Sequence, residues 1–148
     1  MKKINILFLI DVFFKMAGTE RHFYEILTRL DRTKFNPIVI CLHNGSLTPL
    51  LEKQGIKVVN LNVGRIYSFF ALKRFYKIFK MIKRNNVEIM VTYHESSDFI
   101  GSLIGLLARV PVVISSRRDM GYKLNRNKRR VYRLLNRFFY RIVCVSDA

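Results

Sequence analysis

Cysteine, acidic side chains and long apolar runs are all scarce in this chain of 148 residues. Its two cysteines, Cys41 and Cys144, each lie in an apolar run typical of a buried strand, which favours core thiols over a disulfide or a metal site. The nearest candidate for a membrane span, 99–114, is divided by Arg109 and Pro111 and is too short to cross a bilayer. The chain is therefore expected to be cytosolic and to lack a transmembrane helix.

Half of the residues are hydrophobic, and the sequence has no internal repeat, low-complexity tract or linker-like stretch. A chain of this length and composition has room for one domain, 1–148, with a single sizeable core. Lys2 and Lys3 followed by Ile4–Ile10 are similar to a secretion signal, but Asp11 ends the apolar run and no small-residue cleavage site follows. The run is therefore interpreted as the first strand.

Apolar runs alternate with helical patterns along the chain, an order typical of a parallel sheet flanked by helices. The predicted strands are Ile4–Ile10, Pro37–Leu42, Lys57–Leu61, Ile89–Tyr93, Val112–Ser115 and Ile142–Val145. The predicted helices are Glu20–Leu30, Thr48–Gln54, Phe69–Arg84, Asp98–Ala108 and Lys128–Tyr140. This order predicts an α/β fold, a Rossmann-like doubly wound parallel sheet of about six strands with flanking helices.

The loop between the first strand and the first helix has the composition of an anion site. Gly18 permits a left-handed backbone or a close approach to a ligand. Thr19 is placed to cap the helix, whose first N–H groups would point at a bound phosphate. We therefore expect a ligand at this loop.

Polar residues also follow the other predicted strands, where the crevice of such a sheet lies. These exits are Met16–Glu20, His43–Gly45, His94–Asp98 and Ser116–Asp119. Of the three histidines, His94 at the exit of the fourth strand is the candidate functional residue. His22 is expected on the surface of the first helix, and His43 in a turn with Asn44 and Gly45.

Four motifs follow one another along the chain: Ala-Gly-Thr-Glu-Arg-His at 17–22, Val-Thr-Tyr-His at 91–94, Ser-Ser-Arg-Arg-Asp at 115–119 and Val-Cys-Val-Ser-Asp-Ala at 143–148. In this order and at these spacings they resemble the N-terminal half of glycosyltransferase family 4, over essentially the whole chain. The resemblance implies the GT-B architecture, in which two Rossmann-like domains face each other across a cleft. It also implies transfer of a sugar from a nucleotide-sugar donor with retention of configuration, without a metal or other cofactor.

By that resemblance, His94 would be the catalytic-site histidine near the transferred sugar. The loop residues Ala17, Gly18 and Thr19 would lie near the donor diphosphate. The family loop usually has two adjacent glycines, and Ala17 departs from that pattern at the first of them. The structural alternative for His94 is a strand-end histidine that bonds a local carbonyl.

The N-terminal domain of such an enzyme mainly shapes the acceptor side, and the acceptor implied here is a polysaccharide or a lipid-linked glycan. Glu95 and Ser96 after the fourth strand are candidate acceptor contacts, as are Arg117, Arg118 and Asp119 after the fifth. Two adjacent guanidinium groups suit a phosphate, for instance the diphosphate of a lipid carrier. The alternative is an Arg–Asp pair that only orders the loop.

Family members carry the residues that hold the donor nucleotide in a C-terminal domain. The chain ends at Ala148, where that donor-binding domain would begin, and we treat the domain as absent from this sequence. We therefore expect the chain alone to be inactive, either as a fragment or as one subunit whose separate partner chain supplies the other half.

The formal net charge is +17, and the positive charge is concentrated in two segments. In 65–84 the apolar residues Leu72, Phe75, Tyr76, Phe79 and Ile82 share one helix face, opposite a row of lysines and an arginine. In 109–141 the same pattern sets Val131, Leu134, Leu135 and Phe138 against five arginines. Both segments are predicted to form basic amphipathic helices.

Three interpretations of these helices remain open. The basic faces are only solvated, they bind an anionic membrane surface, or they bind nucleic acid non-specifically. The resemblance favours the membrane and a peripheral location on its cytoplasmic face, because many relatives extend surface glycans on lipid-linked acceptors. Nucleic acid is the less favoured partner because no known nucleic-acid-binding motif is present. A non-catalytic basic binding module is the alternative function.

Overall fold

The computed structural model describes residues 2–63, 69–118 and 126–144. The strands in these ranges are Ile4–Ile10 (β1), Phe35–Cys41 (β2), Lys57–Asn60 (β3), Ile89–Tyr93 (β4), Val112–Arg117 (β5) and Arg141–Cys144 (β6). The α-helices are Gly18–Arg29 (α1), Thr48–Glu52 (α2), Phe69–Arg84 (α3), Glu95–Ala108 (α4) and Arg126–Leu135 (α5), and a 3-10 turn at Asn136–Phe138 follows α5. The predicted sequence of elements is confirmed.

The strands form one parallel sheet in the order β3-β2-β1-β4-β5-β6. This is the strand order of a doubly wound Rossmann sheet, so the predicted fold class is confirmed. The order reverses between β1 and β4, whose last residues Ile10 and Tyr93 are paired in register. In sheets of this type, the crevice that binds ligands opens beyond the carboxyl ends of the strands at the reversal.

Each face of the sheet carries its own helices and its own core. On one face, Phe23 and Leu27 of α1 and Leu51 of α2 pack on β1 and β2. On the other face, α3, α4 and α5 pack over a second cluster that includes Ile78, Ile82, Ile100, Ile104 and Leu135. The helix α4 is the middle helix of this layer, since it contacts both α3 and α5. The two helices that follow the reversal strands, α1 and α4, thus lie on opposite faces.

The close packing of α4 on the sheet depends on two glycines. A Cβ on Gly101 would overlap the Thr92 side chain, and a Cβ on Gly105 would lie 2.6 Å from Cε of Met90. A third glycine, Gly45, lies so close to the backbone of Phe13 that no side chain fits there. The loop after β2 therefore supports the loop after β1, where the candidate site lies.

Three local expectations need correction. The helix α4 begins at Glu95 rather than Asp98, so His94 becomes its N-cap residue. Thr19 does not cap α1, because that helix begins at Gly18, two residues before the predicted start, and Ala17 is its N-cap, with no side-chain cap bond. Cys41 is buried, and burial raises the pKa of its thiol to about 12. Cys144, in contrast, is exposed because β6 is the last strand of the sheet.

The apolar sides of the two basic helices are only partly buried. Ile78 and Ile82 of α3 and Leu135 of α5 lie in the core, as helices packed on a sheet require. The remaining predicted face residues include four that are exposed: Leu72, Tyr76, Val131 and Leu134. No helix in the described ranges is long and apolar enough to cross a membrane.

Candidate functional site

The two loops at the reversal are joined by Asp11, the residue directly after β1. Its carboxylate accepts hydrogen bonds from the backbone N–H groups of Ser96 (3.1 Å) and Ser97 (2.6 Å) and from the Ser97 hydroxyl. These are free N–H groups of the first turn of α4, so Asp11 caps that helix from a neighbouring strand. The α4 N-terminus is thereby fixed against β1.

His94 occupies this junction in an unusual backbone conformation. Its φ of 74° and ψ of 168° lie in a region that is populated almost only by glycine. A non-glycine residue held there costs about 1–3 kcal/mol, and such residues cluster at active sites. The Nε2 atom of His94 lies 3.6 Å from Oε1 of Glu20, in the first turn of α1. The imidazole therefore bridges the two helices across the crevice.

The N-terminus of α1 is open to ligands. Its N-cap, Ala17, is exposed and provides no side-chain bond, and Gly18 is exposed as well. A Cβ on Gly18 would meet nothing within 4 Å, and Gly18 is not among the described glycines with positive φ. Gly18 thus leaves space for a ligand above the first amides of α1, a geometry that suits an oxyanion.

A buried carboxylate, Asp98, organises the face of the sheet that carries α4. It accepts hydrogen bonds from the hydroxyls of Thr92 and Ser115 and lies 3.3 Å from Nε of Arg117. Burial raises the pKa of Asp98, against the opposing effects of Thr92, Ser115 and Arg117. This network joins α4 to the two strands beside it.

Arg117 connects the Asp98 network to α5 and to the residues that follow this helix. Its terminal nitrogen donates a 2.7 Å hydrogen bond to Asn136, and its guanidinium group lies 4.7 Å from the ring centre of Tyr132 and 5.7 Å from that of Phe139. Arg117 therefore holds α5 against β5.

A second polar cluster, which we call the α1-side cluster, consists of His22, Tyr93, Ser116 and Arg118. Tyr93 and Ser116 are direct neighbours in the β4–β5 register, and the ring centres of His22 and Tyr93 are 6.2 Å apart. Burial is the main cause of a lowered His22 pKa and of a Tyr93 pKa raised to about 12. The positive charge of Arg118 contributes to the lowered His22 pKa and opposes the rise at Tyr93.

Each member of the α1-side cluster has a buried polar atom without a hydrogen-bond partner among the described residues outside the cluster: Nδ1 of His22, Oη of Tyr93, Oγ of Ser116 and Nε of Arg118. Nδ1 of His94 is in the same situation. An unpaired buried polar group costs about 1–3 kcal/mol, and native structures contain few of them. Their concentration at one end of the sheet therefore marks a candidate site.

The structure separates residues that the sequence placed together. Side chains alternate along a strand, so Arg117 points to the α4–α5 face and Arg118 to the α1 face. The two guanidinium groups are not side by side on one ligand, and the partner of Arg117 is Asp98. Asp119, the partner proposed from sequence, lies outside the described residues. Glu95 and Ser96 are half-buried in the first turn of α4.

Sequence reasoning missed several residues that build the crevice. Asp11 was used only as the end of the first strand, and Glu20 was not assigned a role of its own. His22 is half-buried and directed at Tyr93, so its expected position on the helix surface is wrong. Their positions in the sequence could have identified them, since Asp11 follows a strand and Glu20 and His22 lie in the first turns of the next helix.

Metal binding has no structural support in the described ranges, which contain no cluster of three or more His, Cys, Asp or Glu side chains able to hold an ion. The independence from metals implied by the resemblance stays a prediction.

Residues 17–145 match the sequence profile of a family described as the glycosyl transferase 4-like domain. A comparison with curated protein sequences finds no match. The structure matches a glycosyltransferase from Rickettsia africae with a TM-score of 0.80 at 22% identity, over 99% of this chain and 38% of that protein. The match to HepE of Anabaena, solved with UDP and glucose, has a TM-score of 0.74 at 20% identity, over 94% of this chain and 37% of HepE.

A third structural match is a UDP-GlcNAc 2-epimerase from Methanocaldococcus jannaschii, with a TM-score of 0.61 at 10% identity, over 95% of this chain and 39% of that protein. At these identities the matches show the fold alone, one half of a GT-B architecture. The chain spans about two fifths of the length of these structures.

Proposed function

The chain belongs to the glycosyl transferase 4-like domain family, and we propose that it is the acceptor-side domain of a retaining glycosyltransferase. The enzyme would transfer a sugar from a nucleotide-sugar to a polysaccharide or lipid-linked glycan. The observation that carries the proposal is the crevice at the β1–β4 reversal, where the open N-terminus of α1 faces the strained His94. The UDP and glucose bound to HepE support a nucleotide-sugar as donor.

The proposed roles follow from the positions in the crevice. The first amides of α1, at Gly18 and Thr19, would meet the donor diphosphate, because helix N-termini stabilise anions. His94 would donate a hydrogen bond to the transferred sugar from the opposite wall, held in place by Glu20. Glu95 and Ser96, at the start of α4, would lie on the acceptor side.

The first test is sugar transfer by the 148-residue chain alone. The matched structures are more than twice as long as this chain, and in the proposed arrangement a second domain binds the nucleotide. We therefore expect no turnover when the purified chain is incubated with labelled nucleotide-sugars and a lipid extract. Robust transfer by the chain alone would contradict its assignment as one half of a two-domain catalyst.

We also propose that the layer formed by α3, α4 and α5 binds an anionic membrane surface on the cytoplasmic side. Leu107 of α4 is 72% exposed and Leu72 of α3 is 63% exposed, so apolar side chains stand out from the middle of the layer and from one flank. On the other flank, Leu134 lies in a shallow depression lined by Arg130, Arg133 and Arg137. Apolar residues set among cations suit a lipid interface better than a merely solvated surface.

Binding to lipid vesicles tests this surface. Each Lys or Arg near an anionic leaflet contributes about 1 kcal/mol, so we expect the protein to sediment with vesicles that contain phosphatidylglycerol and not with phosphatidylcholine alone. Leu134→Glu and Leu107→Glu should weaken the binding. Leu50→Glu is the matched control, since Leu50 is an exposed leucine of α2 on the opposite face of the sheet.

The vesicle result also separates the membrane from the alternative partner. If the protein binds DNA or RNA at physiological salt more tightly than it binds the anionic vesicles, the membrane proposal is wrong. Non-specific nucleic-acid binding is expected to collapse as the salt concentration rises. If Leu50→Glu and Leu134→Glu lose vesicle binding to the same extent, the layer of α3, α4 and α5 is not the contact surface.

A further inference from the structure

The α1-side cluster contains four unpaired buried polar atoms, which packing of the helix on the sheet does not require. Tyr93 is fully buried and Ser116 is 5% exposed, and apart from their contact with each other neither hydroxyl has a hydrogen-bond partner in the described part of the chain. The two hydroxyls are neighbours at the ends of β4 and β5. The half-buried His22 lies beside Tyr93, and the half-buried Arg118 is close enough to exert an electrostatic effect on both; each carries one more unpaired nitrogen. Each unpaired buried polar group in a native structure requires an explanation, such as a bound ion, a bound water or a catalytic role.

The four side chains have one chemical property in common. Two hydroxyls, a guanidinium N–H and an imidazole nitrogen can all donate hydrogen bonds, and the cluster contains no carboxylate. Arg118 carries a full positive charge, which acts to lower the pKa of both His22 and Tyr93. Several donors around one permanent cation are the recognition chemistry of a tetrahedral oxyanion rather than of a neutral sugar.

A comparison with the Asp98 network shows that the unpaired donors lie on the α1 face of β4 and β5. On the α4 face of the same two strands, Thr92 and Ser115 also carry hydroxyls, and Arg117 also carries a guanidinium group. Those three donors are all satisfied by the carboxylate of Asp98. The α1-side cluster has the same donors in the corresponding positions and lacks the anion that completes them.

We propose that His22, Tyr93, Ser116 and Arg118 form a binding site for a phosphoryl group carried by the acceptor. The assignment rests on the proposed function for the identity of the acceptor, but not for the binding of phosphate itself. The two buried hydroxyls would lie innermost in the site, and the half-buried His22 and Arg118 would lie nearer to the solvent. In this arrangement Arg118 binds the phosphate, whereas Arg117 positions α5.

The test is phosphate binding by the protein as its own cells produce it, with inorganic phosphate and pyrophosphate as probes. We expect saturable binding by calorimetry at constant ionic strength. Loss of a hydrogen bond to a charged ligand corresponds to about tenfold in affinity, so Tyr93→Phe and Arg118→Gln should each weaken the binding by about tenfold or more. Tyr140→Phe and Arg129→Gln are the matched controls, since both residues are exposed and lie away from the cluster.

Tyr93→Phe also gives a readout that does not depend on the ligand. The substitution removes an unpaired buried hydroxyl and keeps the ring, so it should leave the melting temperature unchanged or raise it. Weaker phosphate binding together with undiminished stability supports the site. Phosphate affinity that is the same in wild type, Tyr93→Phe and Arg118→Gln would overturn it, as would a protein that binds no phosphate.

Kinetics separate the two sources of the phosphoryl group. If the acceptor carries it, Tyr93→Phe raises KM for a phosphorylated acceptor and leaves KM for the nucleotide-sugar unchanged. A rise confined to the nucleotide-sugar KM would overturn the acceptor assignment. If the protein transfers no sugar but loses phosphate binding on Tyr93→Phe, the proposed function fails while the phosphate site stands.

Discussion

Replacing Asp98 by alanine is expected to destabilise the protein by about 3–5 kcal/mol, measured as the free energy of unfolding in urea. The substitution removes the acceptor of the Thr92 and Ser115 hydroxyls and the carboxylate partner of Arg117. Breaking a buried ion pair from one side costs this much because the other charge is left uncompensated. Since Arg117 also holds α5, we expect α5 to lose protection from hydrogen exchange before the rest of the sheet.

The pH dependence of this loss has a definite sign. Because burial raises the pKa of Asp98, the folded protein holds this proton at a higher pH than the unfolded chain does. This pH-dependent part of the stability is complete below the ordinary pKa of the carboxyl and is lost as the pH rises through the raised pKa, whereas the hydrogen bonds from Thr92 and Ser115 and the ion pair with Arg117 remain above it. The difference between wild type and Asp98→Ala should therefore be larger near about pH 4 than near about pH 7.

An exposed ion pair serves as the control for Asp98. Glu25 and Arg29 form an i,i+4 pair on the surface of α1, 2.6 Å apart, and Glu25→Ala should cost no more than about 0.5 kcal/mol. If Asp98→Ala costs as little as Glu25→Ala, the buried network does not hold α4 and α5 to the sheet.

Replacing His94 by glycine is expected to lower sugar transfer by about 100-fold or more while leaving the protein as stable as before or more stable. In the proposed role of His94, the activity falls because a preorganised hydrogen-bond donor at the reacting sugar contributes on this scale. The stability does not fall because glycine adopts the φ of 74° and ψ of 168° without the strain that histidine carries, about 1–3 kcal/mol. The measurements are kcat for the protein as its own cells produce it and the urea unfolding curve of the same preparation.

Arg109→Gly is the matched control, because Arg109 caps the other end of α4 with a positive φ of 55°. Glycine is the preferred residue at such a helix end, so this variant should gain stability and keep full activity. If His94→Gly destabilises the protein and leaves kcat unchanged, His94 is a structural cap of α4 and not part of the reaction site.

The fold followed from the sequence because strand and helix signals are local. The bounds of β1 and β4 agree with the prediction at both ends, since each is an apolar run stopped by a polar residue, Asp11 in one case and His94 in the other. The predicted start of α4 was wrong because the residue that caps this helix is distant from it in the sequence. Its first N–H groups are capped by Asp11, which is 85 residues distant from Ser96 and gives no signal near 95.

The site was only partly predictable, because its chemistry depends on which face each strand residue takes. The motif at 115–119 shows two arginines side by side, but Arg117, the last residue of β5, pairs with Asp98, and Arg118, the next residue, lies near His22 and Tyr93. The role of His22 depends on the rotation of α1 against β4. Helical periodicity likewise predicted an apolar face for α5, but not that Val131 and Leu134 would stay uncovered.

Transfer of labelled sugar by the protein as its own cells produce it tests the central claim most directly. A set of nucleotide-sugars is offered with the lipid and polysaccharide fractions of those cells, and wild type is compared with His94→Gly and Arg109→Gly. The account predicts a labelled glycan with the anomeric configuration of the donor, formed by wild type and Arg109→Gly and nearly abolished in His94→Gly. Absence of transfer from every donor, or equal transfer by His94→Gly, would contradict a glycosyltransferase site at the β1–β4 crevice.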